Sequence, residues 1–336
     1  VIQKGKKAVN EIEFEIVKYE NLHRKVQRAR NMWTILSAKI DQSDSFREYA
    51  SELDEVRDLL RTDFEETNSA TICYFYLLIE TEANQNERNY LVADLNLKKM
   101  HNLIMENSSL YTKARRGEVL VNIANNEIFL NNYSSAIKNA ENAKLYFEKG
   151  TGNADVASEI EFFARFYNNE LDLAEKIIEE IYISARKRNS PFAYGKRAYL
   201  YACIMTIKGE IEKSNELLGE VREIEKNKGG WNIAMRVLTI INCIEAKDYE
   251  SADLKVMNME KFIKRNSKLH HIRKRDVLIL RILLKLINEG FDFKKVYKAR
   301  KHYFELLEGK QPDYYWKIRS PELIIFHEWF KKKIKP

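Results

Sequence analysis

Three asparagines crowd one stretch of this chain. Asn122 and Asn126 are four residues apart and share a helix face, with Asn125 beside them. An amide side chain offers both a donor and an acceptor, so it can pair with the N–H and C=O of an extended peptide backbone. Arg165, Lys196, Tyr199, Asn232 and Arg236 fall at comparable places in later segments, and the eight together are candidates for a peptide- or protein-binding groove. The bland reading is a solvated helix face. A second set is cationic. Between residues 261 and 301 there are fourteen Lys and Arg against three acids, an excess of eleven in a chain whose net charge is +7. Arg273, Lys274, Arg275, Arg281, Lys285, Lys294, Lys295 and Lys298 form the expected basic surface. Its partner would be an acidic protein segment or the phosphates of a nucleic acid.

Signatures of catalysis are lacking. The sequence contains no Gly-rich phosphate loop, no HExxH, no CxxC and no GxSxG. Of the six histidines only His270 and His271 are adjacent, and helical neighbours point about 100° apart, a poor arrangement for a metal. Paired carboxylates such as Glu65-Glu66 and Glu179-Glu180 read as solvated. We expect no enzyme activity, no metal and no cofactor. Cys73, Cys203 and Cys243 are odd in number and far apart, which suits core thiols in a reducing cytoplasm. No apolar run approaches the ~20 residues that span a bilayer, and residues 1–16 do not read as a signal peptide.

The elements that must hold these residues are helices. Only 11 Gly and 4 Pro punctuate 336 residues. Residues 8–40 carry Tyr19, Leu22, Val26, Ala29, Trp33, Leu36 and Ile40 at alternating spacings of three and four, one long helix. Ser45, with Glu48 three residues on, reads as a capping box. It opens a second helix to about residue 66 with Phe46, Ala50, Leu53, Val56, Leu60 and Phe64 on one face. The two form a hairpin over residues 1–66, either a cap or an arm through which copies associate.

A repeat follows. Five helix openings carry an apolar residue and then, three places on, a small one: Tyr90 and Ala93, Tyr133 and Ala136, Leu171 and Ala174, Ile211 and Ser214, Tyr249 and Ala252. The openings are 43, 38, 40 and 38 residues apart, and a short polar turn precedes most of them. A small side chain there lets a second helix lie close against the first. A sixth, looser copy has helices over 273–288 and 293–307. Residues 148–155 and 186–192 read as longer connections, with Pro191 suited to a first helical turn. Residues 309–336 differ. An aromatic stretch containing Pro312 is followed by Ser320-Pro321-Glu322, which reads as the start of a last helix running to about 334 and covering the end of the array.

These units, over residues 67–308, resemble tetratricopeptide repeats, with a longer period of about 38–44 residues. HEAT-type and other helix-pair arrays share the plan. The resemblance implies an all-α solenoid of helix-turn-helix repeats, with a long N-terminal helical hairpin and a C-terminal capping helix. It also implies a cytoplasmic scaffold or adaptor that binds protein or peptide through its concave face. Two other readings are a peptide-sensing regulator whose DNA-binding domain would precede Val1, and a nucleic-acid-binding array using the 261–301 surface.

Overall fold

The computed structural model describes residues 2–42, 49–188, 190–225, 229–268, 270, 272–311 and 313–334, with the backbone alone at 2–8, 41 and 42. Its sixteen described elements are all α-helices. They divide between two compact units, residues 1–164 and 165–336. No helix among the described residues is long and apolar enough to cross a membrane.

In the first unit a long helix, α1 (Ile2–Gln42), precedes α2 (Ala50–Thr67), α3 (Ala70–Asn86), α4 (Tyr90–Glu106), α5 (Lys113–Phe129), α6 (Tyr133–Lys144) and α7 (Gly152–Tyr167), within which the division falls. The expected stripe of α1 packs against the core from Leu22 onward, with Ala29 and Leu36 fully buried and the rest partly so, and α3 shares with α2 the work of covering it. Asp63 of α2 is almost wholly buried and accepts from Arg28 (2.6 Å) and Lys25 (3.1 Å) of α1, so a neutralised carboxylate fixes the register of the pair. Tyr19, assigned to the stripe, is exposed, as are Val9, Ile12, Phe14, Ile16 and Val17. Ser45, Phe46 and Glu48 lie outside the described residues.

The second unit contains α8 (Leu171–Lys187), α9 (Pro191–Lys208), α10 (Ile211–Gly219), α11 (Gly230–Glu245), α12 (Tyr249–Asn266), α13 (Lys274–Asn288), α14 (Phe293–Ala299), α15 (Lys301–Glu308) and α16 (Phe326–Lys332). Pro191 opens α9, as its locked φ favours. Three expectations need correction. The 148–155 connection is shorter, because α7 already begins at Gly152. The helix expected over 293–307 is broken at Arg300 (φ −121°, ψ 23°) into α14 and α15. The last helix starts at Phe326 rather than at Ser320-Pro321-Glu322, because Pro321 and Glu322 are engaged with α9 and α13. Pro312 lies outside the described residues.

The five predicted openings are the first residues of α4, α6, α8, α10 and α12. Their small residues, Ala93, Ala136, Ala174, Ser214 and Ala252, are all completely buried. One backbone device makes each turn. The residue two places before the opening (Arg88, Asn131, Asn169, Gly209 or Lys247) takes a left-handed φ between 60° and 82°. The next N–H then reaches back five residues, as from Asn132 to Glu127 O (2.9 Å) and from Asp248 to Cys243 O (2.9 Å). This closure satisfies carbonyls that the helix end leaves unpaired.

Successive hairpins are clipped by a buried asparagine five residues before the left-handed turn residue. In the first unit Asn126 donates to Tyr90 O (2.9 Å) and accepts from Gln85 (3.1 Å). In the second, Asn242 donates to Ser214 Oγ (2.8 Å) and accepts from Thr206 (2.7 Å). Both side chains are fully buried. Leucine at either position would leave buried donors and acceptors unpaired, so Asn242→Leu should lower stability by about 1–3 kcal/mol in urea unfolding. An unchanged midpoint would show that the clip contributes nothing.

Candidate functional site

The five groove candidates of the second unit occupy different environments. Arg165 pairs with Glu170 (2.7 Å) and Lys196 lies over the Trp231 ring (5.1 Å). Tyr199 and Asn232 are buried, which takes them off any open face. The Tyr199 hydroxyl donates to Pro321 O (2.7 Å), and Asn232 bridges Ile224 N and Glu225 O (2.8 Å each). In the first unit Asn122 and Asn125 are half-buried on α5, and Asn126 is the clip described above.

Arg236 lines an open cleft of about 430 Å³. Spacings of three and four put Arg236, Thr239 and Cys243 on one face of α11. Asn215 of α10, Arg222 of the following loop, and Lys255 and Asn258 of α12 complete the walls, and no lining residue is acidic. The Arg236 guanidinium lies 3.9 Å from the Phe262 ring centre, and its buried Nε has no hydrogen-bond partner among the described residues. Burial disfavours its charged form and pulls its pKa down, with Glu223 opposing and Arg265 adding to the effect. A carboxylate entering the cleft would relieve that cost, while Asn215 and Asn258 could pair with backbone groups beside it. Sequence reasoning picked out Arg236 but missed the other walls, which converge from three helices and a loop. The thiols are all free, and burial pushes the Cys203 thiol up to about 12.

The basic surface is thinner than its sequence suggests. Arg275 does not belong to it, being almost fully buried. Its guanidinium grips Glu322 through Nε (2.6 Å) and Nη2 (2.7 Å) and donates to Leu307 O and Tyr314 O. Arg273 is half-buried against Asp276, and Lys274 pairs with Asp313. Lys285 and Lys295 both pair with Glu289, which holds that carboxyl down at about 2. Arg281, Lys294 and Lys298 remain exposed. His271 lies outside the described residues, and no group of metal ligands occurs among the described ones.

His327 completes the Arg275 cluster, its Nδ1 3.2 Å from Arg275 Nη2. An arginine N–H can only donate, so this nitrogen must be unprotonated. Burial, helped by the Arg275 charge, pulls the His327 pKa down to about 4. Between pH 6.5 and 4 the unfolded chain therefore binds this proton first, and stability falls as pH drops through that window. The slope is at most about 1.4 kcal/mol per pH unit, less for a ring partly open to solvent. His327→Gln should flatten the fall of Tm over that range; an equal fall in both proteins would contradict the assignment.

Neither a protein-family model nor a curated protein sequence matches the chain. Solved structures do. RapI in its apo form superposes with a TM-score of 0.62 at 10% identity, over 93% of this chain and 85% of RapI. A Rap protein complexed with competence and sporulation factor gives 0.54 at 12% identity, over 94% and 98% respectively. At such low identity the likeness speaks for the fold alone. That fold, read from hairpins whose turns and small residues recur, is the all-α, tetratricopeptide-like helical repeat of the Rap proteins.

Proposed function

We propose that the chain is a peptide- or protein-binding adaptor, and that its second unit receives an acidic segment of the partner in the cleft between α10, α11 and α12. The observation that carries this reading is the cleft itself: three cations and two amides around about 430 Å³, with no acid among its walls. Repeat folds offer such preformed surfaces without placing a nucleophile or base. The likeness to a Rap protein solved with competence and sporulation factor lends support at the level of fold. The nucleic-acid reading draws less support, because Arg275 is interior and four of its neighbours are already ion-paired.

The test is selection of a random peptide display library on the full chain, with affinities of the enriched peptides measured by fluorescence anisotropy. Enriched peptides should be rich in Asp and Glu. Lys255→Glu, at the exposed rim, should weaken their binding by about tenfold, or ~1.4 kcal/mol, without shifting the unfolding midpoint; Arg236→Gln should weaken it further. Peptides without acids, or affinities indifferent to both changes, would overturn the proposal.

A further inference from the structure

Residues 313–325 run without a helix between α15 and α16, and they cross the first helices of consecutive hairpins. Tyr167, the last residue of α7, accepts the Arg319 N–H (2.8 Å) and packs edge-on against Trp316 (centroids 6.3 Å apart). Tyr199 of α9 donates to Pro321 O (2.7 Å). Ile324 sits with Ala234, Leu238 and Ile241 of α11 around a gap of about 10 Å³. Glu322 meets Arg275 of α13. Four helices therefore hold one non-helical, turn-containing segment through its backbone groups, the Trp316 and Ile324 side chains and one carboxylate. We infer that this face of the second unit is a recognition surface for a non-helical segment that carries a carboxylate followed by apolar residues, and that residues 313–325 are its resident occupant.

The segment is anchored differently from what flanks it. Phe326, Trp329 and Phe330 of α16 are buried in the core formed with α11, α12 and α13. Most of 313–325 is only half-buried, and re-laying it costs α16 one capping bond, from the Phe326 N–H to Glu322 (2.9 Å). The exceptions are Glu322 and Leu323, both buried, and Glu322 carries the charge. A buried guanidinium stripped of its carboxylate is strongly destabilising, but exchange of one carboxylate for another leaves Arg275 paired throughout. Such exchange selects a partner segment with an acid followed by apolar residues, the order found in Glu322, Leu323 and Ile324. None of these residues lines the Arg236 cleft, so this inference stands apart from that reading.

The probe is a fluorescein-labelled synthetic peptide of residues 313–325, titrated into the full chain. The tethered copy competes at an effective concentration on the order of millimolar, so the wild-type protein should bind the peptide weakly. Glu322→Gln should bind it about tenfold more tightly and should reject the same peptide carrying Gln at the 322 position. Tyr199→Phe, which removes a single hydroxyl, should raise affinity in the same direction by a smaller factor and covers the case in which Glu322→Gln fails to fold. Circular dichroism establishes that each variant is folded. Folded variants that bind no better than wild type, or that bind the Glu and Gln peptides equally, would overturn the inference.

Discussion

Two helices can lie close together only where one of them gives up its side chain. In this protein that place is fixed: the fourth residue of each of five second helices, alanine in four and serine in one, with no accessible surface in any. Close approach there brings the ends of the hairpins into contact. The opening residue then meets the end of the next first helix or the turn after it, as Tyr90 stacks on Phe129 and Tyr249 on Phe291, with centroids 4.7 and 4.5 Å apart. The same approach lets the asparagine clips reach carbonyl and hydroxyl groups of the preceding hairpin. Leucine at the fourth position would hold the helices apart, and the clips would be left unpaired in the interior.

That constraint explains what could be read in advance. The starts of the five second helices are legible to the residue, because an apolar plug and a small residue coincide at each opening and a polar turn precedes most of them. Arg275 was misread because it stands in a run of cations, and its partner Glu322 is 47 residues away, beyond any local pattern. The last helix was misplaced for a related reason. Glu322 does accept the N–H of Phe326 (2.9 Å), the chemistry of an early helical acid, but that N–H lies four residues downstream, where α16 begins. The break at Arg300 has no Gly or Pro to announce it. Asn126 looked like a surface amide because spacing alone cannot distinguish a buried, fully bonded polar side chain from an exposed one.

The second unit uses charge in two ways. Around Arg275, charges are interior and paired, and they tie the chain's last segment across the first helices. Around Arg236, cations line an open cleft with no acid among its walls. The first arrangement is complete within the chain. In the second, Glu223 acts on Arg236 from a distance but does not line the cleft. Basicity in the sequence therefore divides between cations paired in the interior and cations left along an open cleft.

The most direct measurement is capture from the native cell lysate by the immobilised full chain, at low and moderate salt, with and without nuclease, beside an Arg236→Gln control. A discrete protein that survives nuclease and moderate salt, and that is lost with Arg236→Gln, is the predicted result. Captured nucleic acid that disappears with nuclease, or a partner retained equally by both chains, would contradict the account.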